Sequence, residues 1–190
     1  DALLAAFARA THHIHLEYYI FEPDKTGARI RDALIEQARR GIRVRLLLDR
    51  LGSKNADEAF LRPLREAGAE IEFFHPYFFK RLWRPEINLR SHRKIVVIDG
   101  CTGFTGGINI TDDENEAIRD DAYVDLHFRI SGEIVRWLQL AFVADWLYAG
   151  GRFAADDRYF PVPSETAGPV TAQVLAAGPD TPFEPIHRAQ

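Results

Sequence analysis

"IRVRLLLD", residues 42–49, is a run of apolar and β-branched side chains that predicts a buried β-strand. Before it, apolar residues from Ile30 to Ala38 recur at helical spacing, and Gly41 marks the end of that helix. The segments further out repeat the alternation, with strands at residues 14–21 and 70–74 and a helix at residues 56–67. Strands that alternate with helices across short connections predict an α/β layered sheet with parallel pairs.

The rest of the chain predicts a second group of strands and a long helix. Strands are expected at residues 94–98, 101–105 and about 123–130, and a helix at residues 132–151. Residues 75–93 are basic and aromatic without a clean period, and we expect a long loop there. The proline-containing residues 153–169 are expected to link a first domain, residues 1–152, to a new strand and helix start at residues 170–190.

Charge and cysteine content exclude several classes of protein. A net charge of −4 and a pI of about 6.0 give no overall attraction to nucleic acid or to anionic membranes, so any such attraction must come from a local patch. The single Cys101 excludes an internal disulfide framework and a cysteine-rich zinc site. Because the chain contains no Met, even at position 1, we expect a processed product or an excerpt of a longer protein.

The stretch "RSHRKIVVIDGCTGFTGGIN", residues 90–109, carries the strongest chemical signal. His92 and Lys94 alternate along the strand and therefore share a face, while the Gly106-Gly107 pair allows close approach of a ligand before Asn109. Lysine and an amide suit the oxygens of a phosphoryl group, and a neutral histidine can attack phosphorus without a metal. The alternative is a solvated edge strand that ends in a hairpin turn at Asp99 and Gly100.

This stretch resembles the phospholipase D superfamily signature His-x-Lys-x4-Asp-x6-Gly-Gly/Ser-x-Asn, and the match is complete. "IHLEYYIFEPDKTG", "VDLHFRISGEIV" and "GPDTPFEPIHRA" are similar, in the same order, to segments of the bacterial cardiolipin synthase branch. The resemblance implies a layered α/β sandwich, with a mixed central sheet and helices on both faces. It also implies roles for individual residues: catalytic His92, Lys94 and Asp99; substrate-binding Asn109, Gly106, Gly107 and Glu17; and Asp125 as the group that orients His92. Asp99 is expected to be more structural than chemical.

The same resemblance implies the reaction and its setting. Members build one active site from two such motifs, whereas this chain has one. We therefore expect a first half whose partner is a second half in a longer chain or a second copy. The implied reaction transfers a phosphatidyl group between phosphatidylglycerol molecules through a phosphohistidine, with no cofactor and no metal. The implied place is the cytoplasmic side of a bacterial membrane. Alternatives are a phospholipase D, a homodimeric single-motif endonuclease and a non-catalytic lipid-binding or assembly module; no nucleic-acid partner is expected.

Several other residues admit two interpretations. The mixture of rings and cations between Phe78 and Arg90 suits a phospholipid interface, although a packed loop is the alternative. We do not expect His12, His13 and His15 to bind a metal, since no acidic or cysteine ligand has suitable spacing. The remaining expectations concern the core: Trp137, Trp146 and the aromatic residues after Glu17 are expected there, and His127 is either a core residue or a neighbour of the site.

Overall fold

The computed structural model describes residues 1–74, 92–162 and 168–176. Its helices and strands follow in chain order: α1 (Ala2–Phe7), β1 (His13–Tyr18), α2 (Lys25–Arg39), β2 (Arg43–Asp49), α3 (Glu58–Glu66), β3 (Glu70–Phe74), β4 (Ile95–Ile98), β5 (Thr102–Gly106), β6 (His127–Ser131) and α4 (Ile134–Tyr148). Short 3₁₀ turns occupy Asp112–Glu114 and Asp157–Tyr159. The basic and aromatic residues predicted to meet lipid, from Phe78 to Arg90, lie outside the described residues.

One mixed sheet of six strands runs in the order β3-β2-β1-β4-β5-β6. The first three strands are parallel, because α2 and α3 return the chain to the same end of the sheet between them. β4, β5 and β6 are antiparallel to their neighbours, and a tight turn joins β4 to β5. Asp99 occupies this turn with a φ of 52°, a conformation that aspartate tolerates better than most residues.

The side chains of each strand pack on two opposite layers of helix. Even-numbered residues of β1 and β4, such as Ile14 and Val96, join the core under α1, α2 and α3. Odd-numbered residues of β4, such as Val97, pack with Phe142 and Trp146 of α4. Side chains of Asp24 and Asp57 cap α2 and α3 by accepting bonds from backbone amides three residues on. Helices therefore cover both faces, as the sequence resemblance implied.

Three segments differ from the sequence-based expectation. The segment expected to be a linker begins with Phe153 and Tyr159, which pack against His15 and the other aromatic residues of that face, so the folded unit extends past residue 152. The described residues 168–176 form no strand, and their Val170 is exposed. Trp137 is also exposed, because α4 buries the opposite side, where Trp146 lies.

Candidate active site

Four strand ends meet at one rim of the sheet and bring the motif together. The approach to β4 supplies His92 and Lys94, and the end of β5 supplies Gly106 and Gly107. β1 runs antiparallel to β4, so its C-terminal end reaches the same rim. β6 begins there as well, because His127 pairs with Gly106. Loops at strand ends of a rigid sheet are common positions for catalytic groups.

Tyr19, just beyond β1, holds the motif histidine and lysine next to each other. Its ring stacks on the His92 imidazole with centroids 4.0 Å apart and an interplanar angle of 24°. The Lys94 ammonium lies 5.8 Å from the centre of the same ring. His92 is exposed and Lys94 is half-buried. An accessible imidazole beside a cation is suited to attack on a phosphoryl group whose charge the lysine offsets.

Asn109 is anchored at this rim by its own side chain. Its Oδ1 accepts a 3.3 Å bond from the Ile20 amide, and its Nδ2 donates to Glu114 at 2.7 Å. The other Glu114 oxygen accepts from the Asn109 backbone at 2.5 Å. Asn109 thus ties the segment after β5 to the segment after β1, one residue from Tyr19. Nδ2 carries a second N–H besides the one that Glu114 accepts.

The structure does not bring Asp125 to His92. Among the described residues no hydrogen bond joins the two side chains. The Asp125 carboxylate instead accepts a 2.6 Å bond from the amide of Leu126 and lies against Gly107. The reason is the strand order: Asp125 precedes β6 and His92 precedes β4, and β5 lies between them. The expected orienting bond is therefore corrected to a contact with the double glycine.

Asp99 lies at the opposite end of β4 from His92, so it does not belong with the catalytic group. Its carboxylate accepts hydrogen bonds of 2.8–2.9 Å from the amides of Thr11, His12 and His13, and one of 2.8 Å from the Thr11 hydroxyl. Burial alone would raise the pKa of Asp99, but these bonds outweigh burial and hold the pKa below its usual range. Asp99 fastens the start of β1 to the end of β4.

Glu17 is buried within the sheet rather than exposed at the rim. It is 1% exposed and lies on the α4 face of β1, on the same side as His13 and His15. Arg93 lies nearby and forms an ion pair with Asp145 of α4. Burial lowers the pKa of Arg93. The bond to Asp145 and the charges of Asp145 and Glu17 raise this pKa by more than burial lowers it, so the net shift is upward. Glu17 therefore lies below the rim, where its charge contributes to the raised pKa of Arg93, and it offers no surface that a substrate could contact.

Sequence patterns missed two residues of the site and left a third undecided. The sequence pattern places Tyr19 in the core and assigns no role to Glu114, whereas the structure places Tyr19 against His92 and Glu114 against Asn109. His127, left open between core and site, lies at the rim. The available signal was positional: Tyr19 follows β1 directly and β4 pairs antiparallel with β1, so Tyr19 must lie near the residues that precede β4.

In the part of the chain that the structure describes, no group of His, Cys, Asp and Glu could hold a metal ion.

A mixed six-stranded sheet between helical layers, with His-x-Lys at the rim where four strands end, defines a phospholipase D-like domain. Solved structures share this fold. The phospholipase D family member Nuc from Salmonella typhimurium aligns with a TM-score of 0.58 and 18% identity, over 77% of this chain and 86% of that one. NucT from Helicobacter pylori aligns with a TM-score of 0.58 and 19% identity, over the same shares.

Residues 3–146 match the family described as cardiolipin synthase, PLD-like domain, and the chain belongs to that family. A cardiolipin synthase of Alkalihalophilus pseudofirmus is 44% identical over 96% of this chain. The major cardiolipin synthase ClsA of Bacillus subtilis is 38% identical over 97% of it. The chain spans only 36% and 38% of these relatives, respectively.

Proposed function

We propose that this chain carries one half of a phosphatidyltransferase that makes cardiolipin from two molecules of phosphatidylglycerol. The observation that carries the proposal is the placement of His92 and Lys94 against the ring of Tyr19 at an open rim of the sheet. The named cardiolipin synthases that match nearly all of this chain support the choice of substrate.

In the first step, a ring nitrogen of His92 attacks the phosphorus of phosphatidylglycerol. A P–N bond forms, the P–O bond to the glycerol head group breaks, and the departing oxygen takes a proton from an opposing acid. Lys94 offsets the charge on the non-bridging oxygens, and Asn109 donates its remaining N–H. The stack with Tyr19 limits the rotation of the imidazole, which keeps it directed at the substrate.

In the second step, the terminal hydroxyl of another phosphatidylglycerol attacks the phosphohistidine. The hydroxyl proton passes to the opposing group, now a base, while the P–N bond breaks and cardiolipin forms. One phosphodiester is exchanged for another of similar energy, so the scheme needs neither a nucleotide nor a metal. Attack by water at this stage gives phosphatidic acid instead.

A second motif-bearing half supplies the opposing histidine in this proposal. The support is that the chain holds one His-x-Lys motif and spans about a third of the synthases that it matches. The partner is either further sequence of a longer chain or a second copy. The setting that we propose is the cytoplasmic face of a bacterial membrane. Within the described residues, no helix is both long and apolar enough to cross a bilayer.

The test uses vesicles with labelled phosphatidylglycerol and compares the chain with its His92→Ala and His12→Ala variants. His12 is the matched control, because it is a half-buried histidine at the opposite end of the sheet. We expect cardiolipin and free glycerol, with loss of both products in His92→Ala alone. If a second copy completes the site, the rate per chain rises with concentration; if a longer protein does, only that protein is active. Equal product from the wild type and His92→Ala, in whichever form converts the lipid, would falsify the proposal, as would the absence of product from both forms.

A further inference from the structure

His127 lies in a row with Lys94 across the strands that form the rim. Gly106 of β5 pairs with His127 of β6, and Ile95 of β4 pairs with Thr105, so the same register continued by one residue before β4 brings Lys94 opposite Gly106. Across such a row, side chains point to the same face of the sheet. Because the middle residue is glycine, no side chain stands between Lys94 and His127. Two strand spacings separate their backbones by about 10 Å, which leaves room for a phosphodiester group between them.

The His127 ring is held with one nitrogen inward and one outward. Its Nδ1 is fully buried and has no hydrogen-bond partner, and a Cβ placed on Gly106 would approach this atom to 3.0 Å. The same Cβ would meet the Leu126 carbonyl oxygen at 2.2 Å, so the backbones of β5 and β6 enclose this side of the ring. Nε2 is not among the buried ring nitrogens, and the described residues offer it no partner.

This arrangement selects one protonation state. Burial, followed by the charge of Lys94, lowers the pKa of His127, while the carboxylates of Asp125 and Glu114 raise it; the net shift is downward, so the imidazole is neutral at pH 7. A neutral imidazole carries one proton, and a buried N–H without an acceptor is costly. Nδ1 has no acceptor, so the proton resides on Nε2, which makes Nε2 a hydrogen-bond donor on the open side of the ring.

We propose that His127 binds the substrate phosphodiester, donating a hydrogen bond from its Nε2–H to the phosphoryl oxygens whose charge Lys94 offsets. The inference rests on the proposed function, and it adds a neutral donor from β6 to Lys94 and Asn109. A neutral donor suits a phosphodiester, which carries a single negative charge and already meets a lysine. Glycine is needed at position 106 for the close approach of β6, because a Cβ there would meet the Leu126 carbonyl oxygen at 2.2 Å.

The first test reads the tautomer directly in the wild-type chain. Nitrogen-15 NMR of labelled histidine at pH 7 should show a neutral His127 ring protonated at Nε2. Diethyl phosphate, a soluble phosphodiester, should shift that Nε2–H signal on titration. A ring protonated at Nδ1, or on both nitrogens, overturns the inference without the need for any variant.

The second test separates donation from packing. A hydrogen bond to a charged oxygen predicts diethyl phosphate binding about 10-fold to 100-fold weaker in His127→Leu. His127→Gln places an amide N–H about where Nε2 lies and should recover most of the affinity, whereas His127→Asn places its N–H near Nδ1 and should not. His12→Leu is the matched control and should bind as the wild type does. Equal affinity in His127→Leu and the wild type overturns the inference.

Lipid turnover distinguishes this inference from the function on which it rests. If diethyl phosphate binding depends on His127 but no phosphatidylglycerol is converted, the proposed reaction fails and the phosphodiester site stands. If cardiolipin forms and depends on His92 but the KM of His127→Leu matches the wild type, the reaction stands and the role of His127 fails.

Discussion

Acidification should weaken the fold, because histidines of β1 lie where a protonated imidazole is poorly solvated. His13 and His15 are both 0% exposed, and their ring centres lie 4.5 Å apart. Burial, and then the charge of His12, lowers the pKa of His13 from 6.5 to about 4, against smaller upward effects of Asp99 and Gln139. Burial and the charge of His13 lower the pKa of His15 as well.

The free energy of unfolding falls as the pH falls, because the unfolded chain binds more protons than the folded chain. Between about pH 6.5 and pH 4 the unfolded chain binds a proton at His13 that the folded chain excludes, so stability is complete above this window and is lost as the pH falls through it. The linkage relation then gives a loss of about 2 kcal/mol from His13 between pH 8 and pH 5. His15 adds to the loss in the same direction.

Urea unfolding at pH 8, 7, 6 and 5 measures this loss, and His13→Gln isolates it. The amide of glutamine does not titrate, so the difference in free energy of unfolding between pH 8 and pH 5 should shrink by about 2 kcal/mol in the variant. Val162→Ala removes an exposed side chain with nothing to titrate and should keep the wild-type difference. An identical pH dependence in His13→Gln and the wild type would show that His13 is solvated on folding and refute the reasoning.

Three further predictions concern the motif and its neighbours. Asp99→Ala removes four hydrogen bonds to a carboxylate and should lower the free energy of unfolding by about 2–4 kcal/mol. His92→Ala should change the free energy of unfolding by less than about 0.5 kcal/mol, because the ring is exposed. Urea unfolding measures both differences. Tyr19→Ala should reduce phosphatidyl transfer about 10-fold through the loss of the stack, and Tyr19→Phe should retain it, in the same vesicle assay; equal rates in both variants contradict the stacking role. Gly107→Ser places a Cβ 1.9 Å from an Asp125 oxygen, so it should displace that side chain, as faster hydrogen exchange before β6 would show; unchanged exchange contradicts the contact.

Most elements of the fold were predictable, because their signals are local. β3 occupies Glu70–Phe74 as the alternation and the flanking Gly68 predict, and β2 begins one residue later than its apolar run suggests. The segment before β6 was harder to assign. Residues 123–126 have strand-like composition, but they precede β6 and three of their side chains are more than 60% exposed. The composition of this segment therefore predicts a strand but not that the strand begins at His127.

The site was predictable in its residue types and only partly in its contacts. Alternation along the residues that lead into β4 predicts His92 and Lys94 on one face, and in the structure both lie near the ring of Tyr19. The contacts of Asp125 and Asp99 depend on strand order, which no spacing within the motif encodes. The strand between β4 and β6 separates Asp125 from His92. Asp99 instead meets Thr11, almost ninety residues away, because β1 pairs antiparallel with β4.

The spacing of the motif acquires a physical meaning from this placement. Four residues separate Lys94 from Asp99, and they are the whole of β4, so the two side chains stand about 17 Å apart at opposite ends of one strand. In the proposed reaction the lysine end carries the chemistry, and the aspartate end fixes the strand against the start of β1. Since β1 also delivers Tyr19 to the site, a slip of β4 along β1 by one residue would move His92 off the Tyr19 ring. The carboxylate at the far end therefore holds the register on which the stacked pair depends, and this explains why a residue without access to substrate belongs to the motif.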